Sequence, residues 1–199
     1  MVILAVIALV GGVLYGLSDL EFPLLTLLTG HSDLVLYLLM FLVGISIGLH
    51  EGILAKIKQY HIKAFLIPIG IIAGSLVGGA VCAPLLGFSI GESTMVASGL
   101  GWYSLAGVTV GNLAGAQLGS IAFLSNLMRE IFSFFVIPPI SRRLNYYTCI
   151  APAAATSEDT TLSMMIRFTD EETVVLSVFN GVVCSAAVPP LISLCAALL

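Results

Sequence analysis

The chain has 199 residues, of which 59% are hydrophobic and 9% are charged. Soluble domains carry roughly 25% charged residues to keep their surfaces hydrated, so this composition excludes a soluble fold. Eleven acidic and seven basic residues give a formal net charge of -4, which leaves no basic surface for a phosphate backbone and excludes nucleic acid as a partner. We therefore expect an all-α integral membrane protein that handles small molecules or ions.

Five apolar segments are candidates to cross the bilayer, which takes about 20 residues at a rise of 1.5 Å per residue. They are residues 1–17, 34–49, 62–86, 118–140 and 174–198. The first is short, and it lacks both a basic region and an A-x-A-like cleavage signal, so we expect a retained span rather than a signal peptide. Two stretches between the later spans, 91–116 and 145–168, are rich in Gly, Ser, Thr and Asn.

Basic residues predict the orientation, because positively charged flanks stay in the cytoplasm. Lys56, Lys58 and Lys63 cluster in one loop, and Arg142 and Arg143 in another. Placing both loops inside puts the N-terminus in the cytoplasm.

With this orientation, residues 91–116 begin and end on the outer side, and residues 145–168 begin and end in the cytoplasm. Each stretch is then predicted to be a re-entrant hairpin, with apices at 99–104 and 155–161. Two hairpins of opposite orientation outline an inverted repeat, a construction that places a binding site near the midplane. The alternative is an ordinary tilted, Gly-rich helix in either stretch.

Chemistry is expected at the helix breaks, because broken backbone in a membrane is tolerated only where protein or a water-filled cavity satisfies it. At the first apex, Trp102, Tyr103 and Ser104 offer flat faces and hydrogen-bonding groups. A cationic amine could rest on the aromatic faces, worth about 0.5–2 kcal/mol. The alternative is that both aromatic residues belong to the interfacial belt.

The second apex places two adjacent carboxyls, Glu158 and Asp159, among hydroxyls. Intramembrane carboxyls are costly and mark functional sites. Only one of two neighbouring side chains is expected to face a cavity, and we assign that position to Asp159. The hydroxyl residues Thr156, Ser157 and Thr160 complete the candidate binding set. The alternative is that Ser157 or Asp159 caps a short following helix.

Three polar residues, Asn126, Arg129 and Glu130, interrupt the span at 118–140. An arginine near midspan requires a partner, so we expect an ion pair from Arg129 to Glu130 or to Asp159. Structural pairing and substrate contact are both open for this group.

Neither a metal site, a cofactor nor an enzyme is predicted. The four cysteines lie in apolar runs without metal-ligand spacing. No Ser–His–Asp set, H-E-x-x-H motif or phosphate-binding glycine loop is present.

Four motifs in order resemble the LysO-type lysine exporter family: ASGLGWYSLAGV (97–108), GSIAFLSNLMREI (119–131), IPPISRR (137–143) and AAATSEDTTL, which ends at Leu162. FLVGISIGLHEG (41–52) is also similar to a family run. The chain matches the C-terminal two-thirds of the family pattern. Glu158 stands where the family usually has Met, and Ala154 where it usually has Gly, so a more acidic cavity and a less flexible apex are expected.

The resemblance implies a secondary transporter in the bacterial or archaeal inner membrane, formed as one domain over 1–199. It would export L-lysine or a similar cationic amino acid, with Asp159 needed for transport, and we expect coupling to protons by antiport. The alternative function is a non-transporting subunit that completes or regulates a split transporter. A separately encoded small membrane subunit or a homo-oligomer is an expected partner, beside the lipid bilayer.

Overall fold

The computed structural model of this chain describes residues 2–18, 22–23, 38, 41–42, 45 and 53–199. Every regular element in these residues is helical, which confirms the all-α prediction for the part described. The chain divides into two compact units, residues 1–49 and 50–199, and each is described by itself. The predicted span at 34–49 falls largely outside the described residues.

The first unit contains helix α1, Val2–Leu17. Its 16 residues rise about 24 Å, somewhat less than the hydrocarbon thickness of about 30 Å. At its C-terminus the Ser18 hydroxyl donates to the carbonyl of Tyr15 at 2.7 Å, and the Tyr15 hydroxyl accepts from the backbone N–H of Phe22 at 3.0 Å. The crossing of the membrane by this segment stays a prediction.

The described part of the second unit, residues 53–199, contains seven further α-helices and two short 3-10 segments. The helices are α2 Ile53–Leu86, α3 Ile90–Ala97, α4 Tyr103–Ala114, α5 Ala116–Arg143, α6 Ile150–Ala153, α7 Leu162–Phe168 and α8 Glu171–Ala196. The 3-10 segments are Tyr147–Cys149 and Ala154–Glu158. Three helical stretches in the described residues are long and apolar enough to cross a membrane: Ala64–Leu86, Ala116–Arg143 and Glu171–Ala196. They coincide with three of the predicted spans.

Many large apolar side chains of these helices are exposed on the outer surface. Leu85 on α2 is 80% exposed and Phe135 on α5 is 73% exposed. Beside apolar residues, the interior of the unit buries hydroxyl, amide and carboxyl side chains, among them Ser133, Ser177 and Asn180. Exposed apolar surface together with buried polar groups differs from a soluble domain, and it fits helices that face lipid and enclose polar side chains.

Helices α4 and α5 are joined at Gly115, whose φ of 94° is readily adopted only by glycine. The two helices then pack closely, because a Cβ added at Gly119 would lie 2.6 Å from the Cα of Gly111 and 2.7 Å from the carbonyl oxygen of Gly107. Small residues at such a crossing let helix backbones approach in a membrane. The close crossing fixes α5, which carries the polar interruption.

Both polar stretches contain broken helix, as the sequence predicts. The first break, residues 98–102, lies between α3 and α4 and contains Leu100 and Gly101 with φ of 50° and 97°. The second break, residues 154–161, lies between α6 and α7 and begins at Ala154 with φ of 49°. The return of each segment to the side from which it starts stays a prediction.

Candidate substrate site

The two helix breaks contact each other directly. The backbone N–H of Ala155 donates to the carbonyl of Leu100 at 3.0 Å. At the same crossing, a Cβ added to Gly101 would lie 3.5 Å from both the carbonyl oxygen of Ala153 and the Cγ2 of Thr156. The structure therefore brings together the two segments that the sequence singles out.

Asn126 on α5 holds the first break in shape. Its side-chain oxygen accepts from the backbone N–H of Gly101 at 2.8 Å, and its amide nitrogen donates to the carbonyls of Val96 and Ala122 at 3.0 and 2.9 Å. The side chain is 3% exposed. Because both amide protons and the carbonyl are engaged with backbone, Asn126 is a positioning residue for the break.

Arg129 does not form the predicted ion pair with Glu130 or Asp159. Its Nε donates to the carbonyl of Pro152 at 3.2 Å, and its Nη2 donates to the carbonyl of Ala151 at 3.1 Å. Its Nη1 donates to the Ser75 hydroxyl at 2.9 Å. The expectation of a carboxylate partner was wrong. The carbonyls at the end of α6 have no hydrogen-bond partner within that helix, so they accept hydrogen bonds from the guanidinium.

The second break is braced by α8. Ser157 donates its hydroxyl to the carbonyls of Ala154 and Ser177, both at 2.7 Å, and Ser177 donates back to the carbonyl of Ser157 at 3.0 Å. The amide nitrogen of Asn180 donates to the carbonyl of Ala154 at 2.9 Å and to the Ser157 hydroxyl at 3.0 Å. All three polar side chains are fully buried, so Ser157 maintains the break rather than facing a cavity.

Sequence reasoning missed Ser177 and Asn180, although a signal was present. Asn180 and Ser185 lie three and eight residues after Ser177 in a largely apolar span. This spacing places polar side chains on one helix face, and a polar face on a membrane helix needs a polar partner.

Two threonines stabilise the backbone within the second break. The Thr161 hydroxyl donates to the carbonyl of Thr156 at 2.8 Å, and the Thr156 hydroxyl donates to the carbonyl of Ala153 at 2.9 Å. Both residues are buried. Thr156, a candidate binding residue by sequence, therefore satisfies broken backbone in this structure.

The two carboxyls of the second break have different surroundings. Glu158 is half-buried against α8, where its Oε1 accepts from the Ser185 hydroxyl at 2.8 Å and its Cβ would lie 2.5 Å from a Cβ added at Gly181. Asp159 is exposed, and its Oδ1 accepts from the backbone N–H of Thr160. The capping alternative is wrong, because α7 begins after Thr161 and has no side-chain cap.

Glu130 is the most unusual group of the site. It is 1% exposed, and neither carboxyl oxygen has a hydrogen bond of good geometry to any described residue. The Thr160 hydroxyl lies beside it and is also buried without a hydrogen bond of good geometry. The charges of Glu130 and Asp159 lie within electrostatic range of each other and of the Tyr103 hydroxyl. These four residues, Tyr103, Glu130, Asp159 and Thr160, form what we call the carboxyl cluster.

The remaining candidates of the first apex are less engaged. Trp102 and Ser104 are half-buried, and no hydrogen bond joins their side chains to the carboxyl cluster within the described residues. Tyr103 packs edge-on against Phe123 with ring centroids 5.3 Å apart, and this contact helps to hold the Tyr103 hydroxyl in the carboxyl cluster. Of the aromatic pair, Tyr103 is thus the residue that the structure brings to the carboxyls.

The cluster combines two carboxyls with two hydroxyls and holds no basic side chain. Such a group can bind one cation or one proton. No set of three or more metal-ligating side chains occurs among the described residues. The carboxyls of the cluster can take up a proton or contact an organic cation.

Comparison with known proteins gives the chain a family. The family model for the lysine exporter LysO matches residues 6–196. The lysine exporter LysO of Escherichia coli (strain K12) is 34% identical over 182 residues, which are 92% of this chain and 60% of that protein. A putative lysine exporter of Haemophilus influenzae is 33% identical over 173 residues, which are 87% of this chain and 85% of that protein.

No solved structure matches the chain. The chain spans about 60% of the length of the Escherichia coli relative. The match of the family model to nearly every residue confirms the resemblance found in the four motifs: this chain belongs to the LysO lysine exporter family.

Proposed function

We propose that this chain is a secondary transporter that exports L-lysine or a similar cationic amino acid across the inner membrane in exchange for protons. The observation that carries the proposal is the buried carboxyl of Glu130, which has no hydrogen bond of good geometry to any described residue and lies within electrostatic range of Asp159 in the second helix break. The relatives named for lysine export support the substrate. The burial of Glu130, the charge of the carboxyl cluster and the topology of the two helix breaks each support one part of the proposal.

Glu130 supports proton coupling because an ionised carboxyl without a donor is very costly in an apolar interior. The group is stable when it is protonated or when a cation lies against it. Asp159 is exposed and available to the ammonium group of a substrate. A proton and a substrate cation would therefore compete for one cluster, which is the basic requirement of exchange.

The topology that we propose keeps both helix breaks near the membrane midplane as the tips of opposed hairpins, with the N-terminus in the cytoplasm and one transporter domain. The direct hydrogen bond between Ala155 and Leu100 supports this arrangement. An inverted repeat of this kind lets access alternate around a fixed site.

Hairpin topology is tested by labelling single cysteines from each side of the membrane. Suitable exposed positions are Ser89 and Gln117 for the first hairpin, and Leu144 and Arg167 for the second. The exposed Cys82 is first replaced by Ser. We expect each pair to label from one side, with the two pairs on opposite sides. Labelling of one pair from both sides would exclude the hairpin.

The carboxyl cluster is tested in proteoliposomes with labelled lysine and an internal pH indicator. We expect Asp159→Asn to abolish lysine movement, because the substrate ammonium loses its counter-charge. Glu130→Gln imitates a permanently protonated carboxyl, so lysine–lysine exchange should persist while proton-driven movement is lost. The control is Glu171→Gln, an exposed carboxyl at the start of α8, which should leave both activities unchanged.

Two results would contradict the proposal. Proton-driven lysine movement that survives Glu130→Gln would remove the coupling role, and wild-type rates in Asp159→Asn would remove the substrate role. Saturable transport by the purified chain alone would also exclude the alternative of a purely supporting subunit.

A further inference from the structure

Arg129 holds a positive charge that nothing in the described part of the chain neutralises. Its three hydrogen bonds go to two backbone carbonyls and to the hydroxyl of Ser75, all uncharged acceptors. A guanidinium has five N–H donors, so two of them have no partner among the described residues. An intramembrane cation in this condition points to an anion that is supplied from outside the chain.

The guanidinium lines a cleft of 660 Å³ between α2, α5 and the segment that leads into the second helix break. Its wall contains hydrogen-bonding side chains from Ser75, Asn145, Tyr147 and Thr148, together with small and aliphatic residues of α2. None of the lining residues is acidic. Arg129 is thus the one charged residue among the lining residues, while the Tyr147 hydroxyl at the wall already donates to the Glu172 carboxylate at 2.8 Å; a positive group in a lining without acidic residues has the composition of an anion site.

The position of the cleft relates it to the carboxyl cluster. Arg129 and Glu130 are consecutive on α5, and consecutive helical side chains diverge by about 100°. The aliphatic stem of Arg129 also passes the crossing of the two breaks, since its Cδ would lie 3.9 Å from a Cβ added at Gly101. The cleft and the cluster thus flank the same turn of α5.

We propose that Arg129 binds the α-carboxylate of the transported substrate within this cleft. The inference rests on the proposed function and deepens it, because it names the substrate class as amino acids with a free carboxylate and excludes diamines of the same length. The two carbonyls from α6 hold the guanidinium in place without cancelling its charge. The remaining N–H groups of the planar guanidinium are available to a carboxylate, and paired hydrogen bonds of this kind are the geometry in which arginine commonly binds carboxylates.

We expect the site to bind lysine more tightly than a diamine without a carboxylate. Hydrogen bonds to charged groups contribute roughly enough for a 10- to 100-fold difference in affinity. We therefore expect pentane-1,5-diamine and L-lysinamide, which lack the carboxylate, to compete with labelled lysine roughly 10-fold or more weakly than lysine itself in wild-type proteoliposomes.

Ser75 offers a test that separates this role from a structural one. In Ser75→Asp a carboxylate would replace the hydroxyl that already contacts Nη1, and it would occupy the anion site. We expect lysine exchange to fall at least 10-fold while thermal stability in detergent is unchanged or increased. Ser75→Asn, which matches aspartate in size but is uncharged, is the matched comparison, and we expect Ser75→Asp to lose more exchange activity than Ser75→Asn loses.

The outcomes are distinct. Equal competition by lysine and the diamine in wild type, or full lysine exchange in Ser75→Asp, would overturn the carboxylate site and leave lysine transport intact. Absence of any lysine movement by the wild-type chain would instead remove the proposed function, and this inference with it. In Arg129→Lys, loss of the fork should reduce the preference for lysine over the diamine; an unchanged preference would also overturn the assignment.

Discussion

Replacing Ala154 by glycine tests the backbone of the second helix break. Ala154 has φ of 49° and ψ of -117°, whereas its neighbour Ala153 is helical at -71° and -42°. Both side chains are buried, with exposures of 0% and 1%. Holding a residue with a Cβ in this unfavourable region costs about 1–3 kcal/mol, and glycine would release that cost.

The neighbour provides the control. Ala153→Gly loses a buried methyl group and gains unfolded-state freedom, as Ala154→Gly does, and these contributions largely cancel between the variants. We therefore expect Ala154→Gly to be more stable than Ala153→Gly by about 1–3 kcal/mol. Unfolding in mixed micelles with increasing sodium dodecyl sulfate measures both free energies. Equal stabilities, or a less stable Ala154→Gly, would refute the strained backbone.

Three further substitutions test other parts of the fold. Asn126→Leu should lower the free energy of unfolding by about 1–6 kcal/mol, because the Gly101 N–H and the Val96 carbonyl lose their hydrogen-bond partner. If the same unfolding assay shows an effect no larger than that of Ser120→Ala, the positioning role of Asn126 is contradicted. Gly119→Ala should cost about 1–3 kcal/mol because its Cβ would meet backbone of α4, and wild-type stability would exclude the close crossing. Asp170 accepts the backbone N–H of Thr173 at 2.9 Å, and the Thr173 hydroxyl and N–H together hold the pKa of Asp170 below its usual 3.8. The stability that this lowered pKa contributes is present above pH 3.8 and is lost as the pH falls through the lower pKa of the folded state. Asp170→Asn, which can still cap α8, should therefore reduce the loss of stability at acidic pH. An unchanged dependence of stability on pH would contradict this role of Asp170.

The sequence predicts the framework well because hydropathy and helix breaks are local properties. Three of the five predicted spans appear as long helices in the described residues. Both helix breaks also follow from local composition, since runs of Gly, Ser and Thr cannot continue an apolar helix through lipid. All four residues of the carboxyl cluster, Tyr103, Glu130, Asp159 and Thr160, are among the predicted site residues.

Partners of individual side chains could not be predicted in the same way. Reasoning from charge pairs Arg129 with a carboxylate, whereas the structure pairs it with carbonyls that are available only because α6 ends beside it. Similarly, Ser157 is a binding candidate in the linear sequence, and only the folded position of α8 shows that Ser177 and Asn180 occupy its hydroxyl. Backbone acceptors at helix ends carry no residue-type signal, so three-dimensional proximity decides these roles.

The hydrogen bond between Ala155 and Leu100 joins the two helix breaks through backbone atoms alone. Side-chain replacement at either position leaves its donor and acceptor in place, proline at 155 excepted, because proline has no N–H. The residues around the junction can therefore vary during evolution without dissolving it. In the proposed transporter, neighbouring side chains could change to fit a new substrate while the two helix breaks keep the same point of attachment.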